Sequence, residues 1–305
     1  MTNMTAPPDF DQTTLQTCLF LVNVAVDMGK QWILQGKPSR KNFQWTTPSQ
    51  WPCGISTTPA MSDFELSHPV IWSKFTVFDV SRRIHIDVDE PFGILAQRKS
   101  DGSYYIAFRG TQTEADALID ATTCMHAFDS THRPAVSYPG QVHEGFLLLF
   151  NGMSPDLDFA LERVPDPSLL TFTGHSQGSA VATLAAVHAR AKGKNILHYN
   201  SASPRVGDET FAQNYETLGI PSFRLVNTCD KVPKVPDWSC QGAPDHKAGP
   251  LYKHIGIEIP FTCDYGSEEN DHNPCLSYAY AAFNPKSPCL PLSSRPSEPG
   301  NPRPA

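Results

Sequence analysis

A serine stands between two glycines in Gly174-His175-Ser176-Gln177-Gly178. The apolar, β-prone run from Leu169 ends in this pentapeptide, and small apolar residues then recur at helical spacing up to Arg190, so it marks a strand-to-helix junction. A turn that sharp needs glycine two positions either side of the serine: side chains there would collide with the neighbouring strand and helix, and the serine backbone itself is strained. Ser176 would then stand at the sheet edge above a helix N-terminus, whose first N–H groups and positive dipole end favour an oxyanion. The chemistry open to such a residue is nucleophilic attack, provided that a base, an acid and oxyanion donors are brought to it.

Three other stretches offer those partners. Phe108-Arg109-Gly110-Thr111 closes a strand with a small hydroxyl residue at the carboxyl edge of the sheet, where ligands bind in open α/β folds, and Thr111 can supply both a backbone and a hydroxyl donor. Thr111 also suits the N-cap of a helix over 114–122, and the two roles are compatible. Asp230 sits just past a strand end in a proline-stiffened turn, Thr228 to Pro236, where a carboxylate can hold a histidine in the right tautomer. It can also be read as a turn-capping residue, with Asp237 and Asp245 as alternative acids. Two histidines compete as base. His254 lies in Tyr252–Ile259, whose alternation is that of a strand, and a base held mid-strand has little freedom to approach Ser176. His272 lies in the polar loop Asn270 to Pro274, opening onto a helix with Ser277, Tyr278, Tyr280, Ala281 and Phe283, and it is the base we assign; His254 is the alternative.

The elements that must position these residues alternate between strand and helix. Phe10 to Gln35 reads as a helix with Leu15, Leu19, Val22 and Val26 on one stripe and Gly36-Lys37-Pro38 as its stop, covering the sheet. Residues 38–70, rich in Pro, Ser and Thr, read as ordered loop anchored by Trp45 and Trp51. Strands are expected over Trp72–Val77, Gly93–Gln97 and Tyr104–Phe108, the last two joined as a hairpin through Ser100-Asp101-Gly102. Asp87, Asp89 and Glu90 lack the spacing of a calcium loop and read as a solvated strand edge, so no metal is assigned. The helix over 114–122, followed by a long loop over 124–140 that contains His126 and His132, could be a mobile lid, against the default of a fixed surface helix. An apolar helix runs from His143, itself read as structural, towards Val164. Strands at Ile196–Asn200 and Ser222–Asn227 flank a helix over Asp208–Thr217, and this βα rhythm implies a largely parallel sheet with right-handed crossovers.

At 305 residues the chain can bury a full core. A net charge of −7 and a pI near 5.8 argue against nucleic acid, since no row of cations would neutralise phosphates. The most apolar early run, Leu19 to Met28, contains Asp27 and falls short of the roughly 20 residues needed to cross a bilayer, so no transmembrane segment is expected. The N-terminus has no Lys or Arg before its first apolar run, unlike a secretory signal, which leaves a cytoplasmic protein or one exported by a non-classical route. The eight cysteines include no C-x-x-C spacing; a structural zinc site is not expected, and Cys240 with Cys263 is one disulfide pair to consider.

The motifs F-R-G-T, V-H-x-G-F, T-G-H-S-x-G, S-P-R-V-G-x-x-x-F and V-N-x-x-D-x-V-P-x-x-P, with a final His before an aromatic helix, together resemble the class 3 (fungal-type) lipases over about residues 70–284. The resemblance implies an α/β-hydrolase fold, a mostly parallel central sheet flanked by helices; 1–284 reads as a single domain with 1–70 covering the core, and 285–305, outside the resemblance, as a Pro-rich disordered tail. Carried over by position it implies Ser176 as nucleophile, Asp230 as acid, His272 as base, Thr111 and the N–H of Gln177 as the oxyanion hole, and 112–122 as lid. It implies lipid esters of the acylglycerol type as substrates, transient contact with a lipid–water interface, and no cofactor. Phospholipids, as in a phospholipase A1, or feruloyl esters are the alternative substrates, and a non-catalytic binding protein on the same fold is the reading outside enzymes. Two departures stand out. Gln177 and Ser179 replace the usual Leu and second Gly after the nucleophile, which puts a polar side chain near the acyl site; the lid position often held by Trp is Ala117 or Leu118, which weighs against strong interfacial activation.

Overall fold

Alternation along the strands decides the architecture. In β3 (Tyr104–Phe108) Ile106 and Phe108 join one hydrophobic cluster, Tyr105 and Ala107 join another, and all five residues are buried. A strand buried on both faces needs cover on both. The computed structural model, which describes residues 7–51, 53–56, 58–79, 84–111, 124–129, 137–237, 251–285 and 289, supplies it. A seven-stranded sheet runs in the order β1-β2-β3-β6-β7-β8-β9. β1 (Phe64–Asp79), β2 (Ile84–Arg98) and β3 are antiparallel neighbours; from β3 onward, β6 (Leu169–His175), β7 (Asn195–Ser201), β8 (Ser222–Asn227) and β9 (Ile257–Phe261) are parallel. The carboxyl ends of the parallel strands therefore share one edge, which gathers the loops after β3, β6, β8 and β9.

One face is covered by α2 (Glu144–Leu161), α3 (Gln177–Ala191) and α4 (Glu209–Thr217). The other carries α1 (Gln12–Leu34), the π-helical turn Pro274–Ala279 and the short helix α6 (Tyr280–Phe283). Asp11 caps α1 by accepting from the Thr13 and Thr14 N–H groups, and the helix ends just before Gly36, whose φ of +79° suits glycine. Its burial goes further than the expected stripe. Phe20, Leu21 and Val24 are fully buried as well, while Val26 is only partly so, because α1 is sandwiched between the sheet and the segment around Trp51 and Phe283. Among the described residues no helix is long and apolar enough to cross a membrane.

Several expectations need correction. β1 starts at Phe64 and β2 at Ile84, so this hairpin is far longer than Trp72–Val77 and Gly93–Gln97. Within it Asp87 and Asp89 are exposed as expected, but Glu90 is buried against the Arg109 guanidinium. The stretch expected as loop over 124–140 contributes β4 (Met125–Asp129), which pairs with β5 (Ser137–His143) in a separate ribbon. The expected strand over Tyr252–Ile259 starts only at Ile257: Gly256 adopts φ +81° against Ser222, and Lys253 instead bonds sideways to Val206 and Gly207. Cys263 is joined to Cys289, not to Cys240, so the chain beyond 284 is tied back at Cys289; Cys53 is joined to Cys275. The helix expected over 114–122 lies outside the described residues.

Candidate active site

β6 ends at His175 and α3 begins at Gln177, leaving Ser176 alone to turn the chain, with φ 56° and ψ −131°. That is a costly conformation for a residue with a Cβ, and close packing holds it. A Cβ on Gly174 would sit 2.2 Å from the Gly178 carbonyl oxygen, and one on Gly178 would sit 2.2 Å from that of Arg109. The serine N–H is anchored to the Ser201 carbonyl (3.1 Å), and the Ser179 hydroxyl donates to the Ser176 carbonyl (2.5 Å). The residue that replaces the second glycine thus adds a tie inside the elbow. Gly178→Ala is expected to cost about 3 kcal/mol, because the added methyl meets rigid backbone. A thermal melt of purified Gly178→Ala protein checks this, and an unchanged Tm would contradict the steric reading of the elbow.

The loop after β9 carries His272, which follows the short helix α5 (Glu268–Asp271). Its Nε2 lies 2.7 Å from the Ser176 hydroxyl and its Nδ1 lies 2.7 Å from Asp230 Oδ2. An ionised carboxylate only accepts, so the proton sits on Nδ1 and Nε2 is left to accept from the serine. Asp230, in the turn after β8, is buried and well satisfied: Oδ2 accepts from His272 and from the Tyr278 hydroxyl (2.6 Å), and Oδ1 accepts from the Val232 N–H (2.9 Å). Burial alone pushes this carboxyl up, but the hydrogen bonds and charge of its neighbours, His272 first, outweigh burial and hold it below the ordinary carboxylate range. Tyr278 feels the reverse. Burial and then the Asp230 charge raise its hydroxyl well above the usual value, so it stays a donor.

Residues that sequence reasoning did not assign hold the loop in place. His175 is buried, its Nδ1 lies 3.0 Å from the Ser201 hydroxyl, and its Nε2 donates to the His272 carbonyl (2.8 Å). Burial, then the nearby His272, push its imidazole down to about 3, so it remains neutral. Asn227, the last residue of β8, donates through Nδ2 to the carbonyls of Cys263 and Asp271, binding the loop ahead of α5 and the last residue of α5. The pentapeptide shows His175 and the aromatic helix shows Tyr278; the bonds they make depend on pairings that no local spacing encodes.

Of the other expected site residues, Thr111 is exposed directly after Gly110, where a Cβ would lie 3.2 Å from the Ser176 Cβ. Gln177 opens α3, so its N–H lies in the turn that precedes the helix's own hydrogen-bond ladder; its side chain is buried. His254 takes no position in the Ser176–Asp230 chain, because the segment before β9 packs it near Arg224, Arg205 and Pro233; burial, then the two guanidiniums, lower its imidazole to about 3. Asp237 is engaged by Arg205, and Asp245 lies outside the described residues, as does 112–122. His143 is buried and stacked 4.1 Å from Phe146, a packing role. Among the described residues no group of three or more His, Cys, Asp or Glu could hold a metal ion.

A family model described as Lipase (class 3) matches residues 105–239. Over 151 residues, 47% of this chain and 40% of the relative, the sequence is 34% identical to the Lipase of Rhizomucor miehei. Over 153 residues, 49% of this chain and 48% of the relative, it is 33% identical to the Secreted mono- and diacylglycerol lipase A of Penicillium cyclopium. The matches span less than half the length of these curated relatives. The fold is similar to that of the Lip2 lipase from Yarrowia lipolytica, with a TM-score of 0.53 at 22% identity over 81% of this chain and 77% of the other. The strand-elbow-helix of 169–191, the turn that carries Asp230 and the F-R-G-T corner all fall inside the matched stretch, so over 105–239 the chain is similar to the class 3 lipases.

Proposed function

We propose that the protein is a serine carboxylic ester hydrolase acting on acylglycerol-type esters through an acyl-enzyme intermediate. The observation that carries this reading is the unbroken chain from Ser176 through His272 to Asp230, with 2.7 Å at each link, mounted on a strained elbow. His272 Nε2 takes the hydroxyl proton as Ser176 Oγ attacks the ester carbonyl carbon, and Asp230 stabilises the imidazolium and keeps its Nδ1–H oriented. The carbonyl oxygen, now negative, is met by donors of Thr111 and by the Gln177 N–H at the head of α3. His272 then returns the proton to the leaving alcohol. Water attacks the acyl-enzyme by the same route, releasing the carboxylic acid and restoring Ser176.

The name of the Penicillium cyclopium relative favours glycerides, and the exposed Val235 and Leu251 give this end of the sheet apolar side chains suited to transient contact with a lipid surface. The buried Gln177 side chain beside the nucleophile favours short or medium acyl chains over long ones. The test has two stages. A fluorophosphonate probe is expected to label the protein at Ser176, and a panel of mono-, di- and triacylglycerols, phosphatidylcholines and feruloyl esters is expected to give its highest kcat/KM on a glyceride with short or medium acyl chains. Labelling with a phospholipid preferred would keep the mechanism and move the substrate; absence of labelling would sink the enzyme reading.

A further inference from the structure

The bulkiest fully buried side chain among the described residues carries a charge. Arg109 follows β3, is 0% exposed, and its backbone N–H donates to the Phe92 carbonyl (3.0 Å). A guanidinium is costly to bury unless its fork of donors is met, and here it is. Nε donates to the Pro91 carbonyl (2.9 Å), Nη2 lies 3.0 Å from the buried Glu90 carboxylate, and the Phe92 ring centroid lies 4.7 Å from the guanidinium carbon. These contacts fix the group to the middle of β2. The remaining arm, Nη1, donates to the Gly110 carbonyl at 2.8 Å.

That carbonyl belongs to the same planar, trans peptide unit as the Thr111 N–H, and in such a unit the C=O and N–H point in opposite directions. A clamp on the oxygen therefore aims the N–H. The buried side of the unit faces the guanidinium, while Gly110 itself lies against the elbow, its would-be Cβ 3.1 Å from the His175 carbonyl oxygen and 3.2 Å from the Ser176 Cβ. Gly110 has no side chain of its own to orient this peptide, so the hydrogen bond from Arg109 has a use. The charge on the carbonyl also polarises the amide and makes its N–H a better donor.

We propose that Arg109 is a positioning residue for the oxyanion hole: held by Glu90 and Pro91, it fixes the Gly110–Thr111 peptide so that the Thr111 N–H faces the oxygen that becomes charged when Ser176 attacks. The proposal rests on the reading of Ser176 as nucleophile and Thr111 as oxyanion donor. A lysine cannot replace the arginine fully, since one ammonium cannot reach Pro91, Glu90 and Gly110 with the geometry of a planar fork.

The experiment measures p-nitrophenyl ester hydrolysis by Arg109→Lys and Arg109→Met, with active sites counted by fluorophosphonate titration, and the affinity of phenylboronic acid, whose adduct on a serine oxygen mimics the charged tetrahedral intermediate. Per titrated site, kcat is expected to fall about tenfold in the Lys variant and about a hundredfold in the Met variant, below or near the loss of a whole oxyanion donor. KM should stay within about twofold, and boronate affinity should fall in step with kcat. A lower titratable fraction or Tm with unchanged kcat per site would make Arg109 a structural residue and overturn the proposal, as would a kcat loss with boronate affinity intact. Should the Met variant not fold, the Lys variant decides between these outcomes. Failure of the unsubstituted protein to label with fluorophosphonate would instead remove the nucleophile reading, and the proposal with it.

Discussion

Ser176→Ala is expected to lower kcat for ester hydrolysis by about five orders of magnitude or more, with little change in Tm and with KM held within a few-fold. The size follows from what the hydroxyl does: without it there is no acyl-enzyme, and the rest of the site can only assist direct attack by water, for which oxyanion donors and substrate binding alone leave a residue of catalysis. The small effect on folding follows from the backbone. Ser176 is tied by its N–H to Ser201 and by its carbonyl to Ser179, and among the described residues its hydroxyl is hydrogen-bonded to His272, so Ala removes one hydrogen bond and no packing core. Ala also accepts the φ of 56° no worse than Ser does. Steady-state kinetics beside a thermal melt check both halves. Undiminished turnover would refute the serine mechanism, whereas a lost melt would show that the site, not the chemistry, had been removed.

The elbow that carries Ser176 was the most legible part of the protein, and the reason is steric. A strained turn flanked by backbone at 2.2 Å from each virtual Cβ can be made only with glycine, so the constraint is written in adjacent letters. Asp230 and His272 were legible for a weaker reason, the order of βα units along the chain, which brings every loop after a parallel strand to one edge. What lay beyond reach is carried by pairings between distant segments. Glu90 reads as one more acid on a polar strand until Arg109 is found buried against it. Asn227 reads as a strand end until its amide is seen to bind carbonyls 36 and 44 residues away. The β4–β5 ribbon was hidden because its strands alternate poorly and the stretch between them contains proline, so only pairing across the gap defines it. The cysteines likewise carry no spacing that predicts Cys263 with Cys289.

The second large effect separates the two histidines. His272→Ala is expected to cost about four orders of magnitude or more in kcat and to slow fluorophosphonate labelling of Ser176, because the serine loses the acceptor at 2.7 Å and Asp230 is left without the imidazole it orients. His254→Ala should leave kcat within about threefold, since the assigned base already occupies both hydrogen bonds of the chain. Its signature is instead a change in acid stability. In the folded protein the His254 imidazole titrates near 3, well below its ordinary 6.5, through burial and then the charges of Arg224 and Arg205. Between those values the unfolded chain binds a proton that the folded one refuses, so folding stability falls as the pH drops from 6.5 towards 3. Removing the imidazole removes that contribution, and the His254→Ala variant should lose stability less steeply than the parent across this window, although His175 and His198, also lowered to about 3, preserve part of the slope in both proteins. Denaturant melts at several pH values, run beside the kinetics, read both quantities. Loss of activity in His254→Ala with His272→Ala still active would reverse the roles, and it would also mean that the segment before β9 reaches the serine in a conformation other than the one in which Lys253 is bonded to Val206 and Gly207.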